Sequence, residues 1–200
     1  MIALIDYGAG NLTSVRKGFA AAGADLFTPI APAELAQAAG IIVPGVGNFA
    51  ATSALHGAWT SAIRNVVNDG TPLLGICLGM QWLYEGSDEA PGVAGLGLIS
   101  GKCTRLPRQD GLKVPHVGWN SLHAPRPSRL LAGVGEGTQV YFTHSYAAPV
   151  TAESAATCEH GALFAAAVER GRIFGVQFHP EKSSDAGIRI LRNFVAETRS

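Results

Sequence analysis

The 200-residue sequence has little charge and no excess of either sign. Only 15% of its residues are Asp, Glu, Lys or Arg, and the formal net charge is zero. Binding of nucleic acid or of an anionic membrane through charge needs a basic surface, and no basic stripe runs along this chain. No apolar run approaches the roughly 20 residues that cross a bilayer. These absences argue against a nucleic-acid or membrane partner.

Cysteine is scarce, and the patterns that hold a metal or a nucleotide are missing. The three cysteines, an odd number without a preceding secretory signal, predict reduced thiols in a cytoplasmic protein. Five histidines show no metal-ligand spacing: His56, His116, His123, His144 and His160. A GAG turn at 8–10 resembles a dinucleotide fingerprint, but Thr13 replaces its third glycine. We expect no metal and no cofactor.

Alternating apolar runs and helical patterns in the first half predict an α/β fold, with a doubly wound, mostly parallel sheet and helices on both faces. The predicted parallel strands cover 2–6, 25–27, 40–43, 71–74 and 172–176. The predicted helices cover 12–22, 60–67, 80–85 and 186–195, and another opens at 32. Short, turn-bounded runs after Gly86 predict additional antiparallel strands at 96–99, 103–106, 113–114, 140–142 and 156–158. We expect one domain over 1–200.

The GICLG motif at 75–79 lies between a predicted strand and a predicted helix. G-x-nucleophile-x-G at such a junction is the nucleophile-elbow pattern, here with a thiol. The glycines would allow a sharp turn that exposes the sulfur of Cys77, and the start of the helix would favour a thiolate. The alternative is a buried apolar cysteine, which is the commonest role of a free cysteine.

A second motif, His179-Pro180-Glu181, follows the last predicted strand. Pro180 disfavours the helical region for His179, and residues two apart in an extended stretch point to the same side. Glu181 could therefore orient His179 as a base for Cys77, which is the logic of a catalytic triad.

The PGVG turn at 44–47 follows another predicted strand. Its glycines would let the peptide between Gly45 and Val46 rotate, so that either a carbonyl or an N–H faces the site. We expect this turn to gate an oxyanion hole, although a fixed tight turn would give the same motif.

These motifs resemble those of the class I (triad) glutamine amidotransferases, with Cys77 in GICLGMQ and with His179 and Glu181 in QFHPEKS. The stretches DYGAGN, PGVG and PHVGWN look like the glutaminase subunits of imidazole glycerol phosphate synthases. The resemblance implies hydrolysis of glutamine through a cysteine thioester. The ammonia would go to a synthase (cyclase) subunit, a (β/α)8 barrel in a heterodimer, that makes imidazole glycerol phosphate and AICAR in histidine biosynthesis. Hydrolase and lyase chemistry are both implied.

The resemblance also implies roles for individual residues. The catalytic residues would be Cys77, His179 and Glu181, with an oxyanion hole from the backbone N–H groups near Val46 and Leu78. Glutamine contacts would come from Gly47, Gln81, Glu89, Ser145 and Tyr146. The positions that face the partner would be Asn11, Trp119, Tyr141 and Lys182.

Three other functions remain open at this stage. A glutaminase of the same fold could serve another synthase, for instance in vitamin B6 formation, but PHVGWN and PGVG argue against it. A non-catalytic regulatory module would be expected to lose part of the triad, which is intact. A cysteine peptidase of related fold is disfavoured by Gln81 and by the Ser145-Tyr146 pair.

Overall fold

A computed structural model of the chain describes residues 1–123 and 126–199 and contains twelve strands within them. In chain order the strands are β1 (Ile2–Leu4), β2 (Leu26–Phe27), β3 (Gly40–Val43), β4 (Leu73–Ile76), β5 (Gly86–Ser87), β6 (Lys102–Arg105), β7 (His116–Ser121), β8 (Gln139–His144), β9 (Tyr146–Ala147), β10 (Ser154–Glu159), β11 (Leu163–Arg170) and β12 (Ile173–Val176). The α-helices are α1 (Leu12–Ala21), α2 (Ala58–Asn68), α3 (Leu78–Trp82) and α4 (Ser184–Glu197). Short 3-10 helices cover Pro32–Gln37, Phe49–Leu55 and Pro180–Lys182.

Seven strands form the main sheet, in the order β10-β11-β12-β4-β3-β1-β2. The five strands from β12 to β2 are parallel to one another, and β10 and β11 add an antiparallel edge. Two small sheets, β5-β6-β9 and β7-β8, come from the second half of the chain. The predicted α/β class, with a mostly parallel sheet and added antiparallel strands, is confirmed.

The main sheet is apolar on both faces because helices cover both. Phe19 of α1 and Phe194 of α4 belong to one core cluster, whereas Ile63 of α2 and Trp82 of α3 belong to the other. Strand β3 supplies both cores, since Ile42 lies in the first cluster and its neighbours Ile41 and Val43 lie in the second. This double burial explains why the parallel strands are continuous apolar runs. None of the helices among the described residues is long and apolar enough to span a membrane.

Two predicted strands are wrong. The 96–99 segment is a loop whose N–H groups close the end of helix α3, with Leu98 and Ile99 both donating to the carbonyl of Leu83 at 2.9 and 3.0 Å. The 113–114 segment precedes Pro115, and the β7 ladder begins only at His116. Proline has no N–H to donate to such a ladder, so the strand starts after it.

Strand β11 was not predicted, because its alanine-rich sequence has a high helix propensity. It is a strand because β10 and β12 pair with it on either side. Strand β4 extends to Ile76, further than predicted, and therefore ends directly at Cys77.

The order of the parallel strands determines where the site lies. Strands β12, β4, β3 and β1 are consecutive neighbours, so the segments after their carboxyl ends meet at one edge of the sheet. Those segments contain His179, Cys77, the PGVG turn and Tyr7, respectively.

Candidate active site

Cys77 occupies a strained position between β4 and α3. Its φ of 54° and ψ of −110° are rare for a residue with a side chain. Its N–H donates to the carbonyl of Val176 at 2.7 Å, and its own carbonyl accepts the N–H of Gln81 at 3.1 Å. The backbone on both sides therefore holds Cys77 in this conformation, as a nucleophile elbow requires.

The two glycines of the elbow serve close packing and do not have positive φ angles themselves. A Cβ at Gly79 would overlap the carbonyl oxygen of Val43, and a Cβ at Gly75 would lie 2.6 Å from the carbonyl oxygen of Gly79. The expectation that glycine supplies the turn is thus corrected. Cys77 itself makes the turn, and the glycines let α3 lie directly against β3 and β4.

The expectation of an exposed sulfur is also wrong. Cys77 is only 4% exposed and belongs to a core cluster, because neighbouring strands enclose it. Its Sγ lies 3.8 Å from the carbonyl oxygen of Thr143 and 3.7 Å from Nε2 of Gln177. Cys77 nevertheless lines a cleft, which is described below.

His179 and Glu181 are in direct contact. Nδ1 of His179 lies 2.8 Å from Oε1 of Glu181, and the two side chains are 3% and 2% exposed. His179 is extended, with φ −101° and ψ 96°, as its position before Pro180 predicts. The predicted extended stretch stops there, because Pro180–Lys182 form a 3-10 turn. The turn, not a strand-like alternation, brings the carboxylate to the ring.

Cys77 and Glu181 together control the charge of His179. Burial lowers the pKa of His179, but the neighbouring Cys77 and Glu181 side chains raise it by more, to about 10. With Nδ1 bound to Glu181, the remaining nitrogen is Nε2, which is buried and has no hydrogen-bond partner within the described residues. An imidazolium with this nitrogen available next to Cys77 can donate a proton.

Ser183 anchors the backbone of His179, a role that the sequence analysis missed. The hydroxyl of Ser183 donates to the carbonyl of His179 at 2.7 Å and accepts the N–H of Tyr141 at 3.0 Å. The N–H of His179 in turn donates to the carbonyl of Tyr141 at 2.8 Å. In the sequence, the only indication of this role is that Ser183 ends the QFHPEKS motif, two residues after Glu181.

Glu181 is buried partly by helix α1. A Cβ at Gly18 would lie 3.0 Å from the Cβ of Glu181, so a glycine is what lets the helix approach this closely. The structure thereby keeps water away from the His179–Glu181 contact.

Gly45 contacts one of the two predicted oxyanion donors, which are the N–H groups of Val46 and Leu78. The N–H of Leu78 donates to the carbonyl of Gly45 at 3.3 Å, so this carbonyl faces the elbow. Val46 is 40% exposed, and Gly47 has a φ of +96°. In this conformation the donor from Leu78 is already occupied.

The predicted glutamine contacts line one cleft of about 280 Å³. Its walls are formed by Gly47, Cys77, Leu78, Gln81, Glu89, Pro115, Thr143, His144, Ser145 and Tyr146. All five predicted substrate residues therefore line one cleft together with Cys77, the predicted nucleophile. A larger cleft of about 490 Å³ lies along α4, and none of these residues lines it.

Hydrogen bonds within the protein already use both N–H groups of the Gln81 side chain. Nε2 donates to the carbonyl of Tyr146 at 2.8 Å and to Oε1 of Gln177 at 3.0 Å. Gln177, also missed by the sequence analysis, thus links Gln81 to the sulfur of Cys77. The side-chain oxygen of Gln81 is the end left to accept a hydrogen bond from a ligand.

Three of the four residues predicted to face a partner form one surface cluster. The rings of Trp119 and Tyr141 meet edge to face, with centroids 6.1 Å apart, and Nζ of Lys182 lies 5.6 Å from the Tyr141 centroid. Trp119 is 51% exposed. Asn11 instead caps helix α1 by accepting the N–H of Ser14 at 3.1 Å.

Two histidines without a predicted role lie at the cleft, where His144 lines the wall and His116 contacts His144. Nδ1 of His116 is 3.0 Å from Nε2 of His144, whose Nδ1 lies 2.9 Å from the carbonyl oxygen of Tyr146. Burial lowers the pKa of His116 to about 4 and that of His144 to about 3. Both rings are therefore neutral at pH 7, and the pair supports the wall formed by Tyr146.

The sequence of the chain matches a known protein family. A model of the family described as "Glutamine amidotransferase class-I" matches residues 3–198. The chain belongs to the class I glutamine amidotransferases. As a member of this family it is an enzyme of glutamine hydrolysis, and the expected lyase chemistry is not a property of this subunit.

Two relatives and one solved structure show what this class I glutamine amidotransferase is similar to. The chain is 48% identical to the imidazole glycerol phosphate synthase subunit HisH of Moorella thermoacetica, over 96% of this chain and 93% of that protein. It is 46% identical to the subunit of the same name from Methanothermobacter thermautotrophicus, over the full length of both. A solved structure titled as a glutamine amidotransferase shares the fold, with a TM-score of 0.78, 16% identity and complete coverage of both chains.

Proposed function

We propose that this enzyme, as a single glutamine amidotransferase domain over 1–200, hydrolyses glutamine and supplies the ammonia to the synthase subunit that forms imidazole glycerol phosphate and AICAR in histidine biosynthesis. One observation carries the proposal: His179, in contact with Glu181, lies next to Cys77, and Cys77 lines the same cleft as the predicted substrate residues. The names of the HisH relatives support the pathway.

Glutamine would bind with its side-chain amide over Cys77. The α-ammonium group needs acceptors, and the cleft offers the side-chain oxygen of Gln81 and the carboxylate of Glu89. One oxygen of Glu89 accepts the N–H of Phe49 at 2.8 Å, which fixes the carboxylate in the wall. Ser145 and Tyr146 close the opposite wall.

In the first step the thiolate of Cys77 attacks the side-chain amide carbon of glutamine. The amide oxygen becomes an oxyanion, which the N–H groups of Val46 and Leu78 would stabilise. As the C–N bond breaks, Nε2 of His179 gives its proton to the leaving nitrogen. The products are ammonia and a γ-glutamyl thioester on Cys77.

In the second step the neutral His179 takes a proton from water, and the hydroxide attacks the thioester carbon. The C–S bond breaks, the new γ-carboxyl group releases its remaining proton to water as glutamate leaves, and the thiolate of Cys77 and the imidazolium of His179 are restored. Glu181 stabilises this imidazolium and holds its orientation throughout.

The synthase partner would dock on the cluster of Trp119, Tyr141 and Lys182, together with Asn11. An exposed tryptophan packed against a tyrosine is typical of an interface centre, because aromatic residues are enriched there. We propose a heterodimer with a (β/α)8-barrel subunit in the cytoplasm, which suits three unpaired cysteines.

The test is glutamate release from glutamine by the chain in complex with the synthase subunit. Cys77→Ala should abolish it, while synthesis of imidazole glycerol phosphate from added ammonium salts persists. Cys158→Ala is the matched control and should keep glutamate release, since this thiol is buried in the core. Glutamate release by Cys77→Ala at the wild-type rate would refute the triad. Activity with a different synthase alone would refute the pathway.

A further inference from the structure

Tyr7 carries a buried hydroxyl that no step above uses. Its oxygen is inaccessible to solvent and has no hydrogen-bond partner within the described residues. Tyr7 follows strand β1, whose neighbour is β3, and the N–H of Ile5 donates to the carbonyl of Ile42 at 3.0 Å. The strand pairing therefore holds Tyr7 beside the PGVG turn, which follows β3.

The hydroxyl of Tyr7 packs directly on Gly45. A Cβ at Gly45 would overlap this oxygen and would lie 2.9 Å from the Cβ of Leu78. Tyr7 and Leu78 thus both pack where a side chain would project from Gly45, next to the peptide between Gly45 and Val46. Burial, and then the nearby charge of Cys77, raise the pKa of the Tyr7 phenol well above its ordinary range, so it stays a proton donor.

Rotation of that peptide would change the hydrogen-bond partners of the Gly45 carbonyl and of the Tyr7 hydroxyl. In the present conformation the carbonyl of Gly45 accepts the N–H of Leu78, and the hydroxyl of Tyr7 has no acceptor. Turning the N–H of Val46 towards the cleft would take this carbonyl away from Leu78. A buried carbonyl without a donor is costly, and a buried hydroxyl without an acceptor is costly too.

We propose that Tyr7 is a positioning residue for the oxyanion hole: its hydroxyl donates to the carbonyl of Gly45 once the peptide between Gly45 and Val46 has rotated. One new bond would then satisfy both groups and leave the N–H groups of Val46 and Leu78 to the oxyanion. The inference rests on the proposed function, because it assigns Tyr7 to the same glutamine hydrolysis.

Tyr7→Phe tests this inference, because it removes one oxygen and keeps the ring against Gly45. In the complex with the synthase subunit and its nucleotide-like ligand, we expect kcat for glutamine hydrolysis to fall about 3- to 10-fold, the effect of one hydrogen bond. KM should not change, because the oxyanion exists only during reaction. The Tm of the free chain should not fall, because that state has no bond to lose.

Tyr84→Phe is the matched control. Tyr84 is fully buried and, like Tyr7, has a buried hydroxyl that lacks a partner within the described residues, but it packs in the core beyond helix α3. Its substitution should leave kcat unchanged. A kcat of Tyr7→Phe within twofold of wild type would overturn the inference, and so would a fall in Tm of the free variant. If the wild-type complex itself released no glutamate, the proposed function would fail instead.

Discussion

The backbone N–H of Leu78 and the carbonyl of Gly45 are joined by a hydrogen bond of 3.3 Å, so one predicted oxyanion donor is occupied by the neighbouring turn. A tetrahedral intermediate formed on Cys77 in this conformation would lack that donor. The proposed triad of Cys77, His179 and Glu181 is thus assembled, whereas the proposed oxyanion hole lacks one free donor.

We therefore predict that the chain alone hydrolyses glutamine slowly. Loss of one oxyanion donor costs about 10²–10³ in rate. The synthase subunit with its ligand should favour the rotated peptide and restore that factor. The measurement is glutamate release by the chain alone, with the partner, and with partner plus ligand. Similar rates in all three would exclude the gate, even with the triad correct.

Glu181 should affect the rate more than binding. Replacing it with Gln removes the charge that stabilises the His179 imidazolium but keeps the size of the side chain. We expect kcat for glutamine hydrolysis to fall at least about 10²-fold with little change in KM. Asp25→Asn, an exposed change beside strand β2, is the control. A change in KM alone would mean that Glu181 contacts the substrate instead.

His179 should be charged at neutral pH in the resting enzyme. Because Cys77 and Glu181 raise its pKa to about 10, both ring nitrogens should carry protons at pH 8. In Cys77→Ala one of these two neighbours is lost, so the pKa should fall. Nitrogen-15 NMR of the imidazole across pH 5–10 measures this directly. Equal titration curves for Cys77→Ala and wild type would show that sulfur and ring do not interact.

The buried pair of His116 and His144 predicts acid sensitivity. The folded-state pKa values, about 4 for His116 and about 3 for His144, lie below the roughly 6.5 of an unfolded histidine. Between about pH 6.5 and pH 4 the unfolded chain therefore binds protons that the folded chain does not. As the pH is lowered through this window, the free energy of unfolding should therefore decrease by about 1.4 kcal/mol per pH unit for each histidine.

Urea unfolding between pH 7 and pH 4.5 checks this slope. His116→Asn should flatten it relative to wild type, because one of the two buried rings no longer titrates. His56→Gln, a change of an exposed histidine, should leave it as it is. An unchanged slope in His116→Asn would contradict the assignment.

The parallel half of the fold, and the proximity of Cys77, His179 and Glu181, could be predicted because their signals are local. Strand β3, helix α1 and the GICLG elbow each follow from a short stretch of sequence. The order of the strands then places His179 beside Cys77, about 100 residues earlier in the chain.

The remaining features depend on contacts that no short stretch encodes. The alanines of β11 favour a helix in isolation, and the pairing of β11 with β10 and β12 overrides that preference. Nothing in the sequence distinguishes Ser183 from other serines. Its role depends on strand β8, which brings the N–H of Tyr141 to its hydroxyl. Gln177 joins Gln81 to Cys77 only because β12 lies next to β4.

The hydrogen bond from the N–H of His179 to the carbonyl of Tyr141 connects His179 to the strand that carries the Tyr141 ring. The ring of Tyr141 lies in the surface cluster with Trp119 and Lys182, whereas its backbone holds His179. Exchange of the His179 amide with deuterium can occur only when this contact opens. The exchange rate of this one amide therefore measures how often the backbone of strand β8, which also carries the Tyr141 ring of the surface cluster, separates from His179.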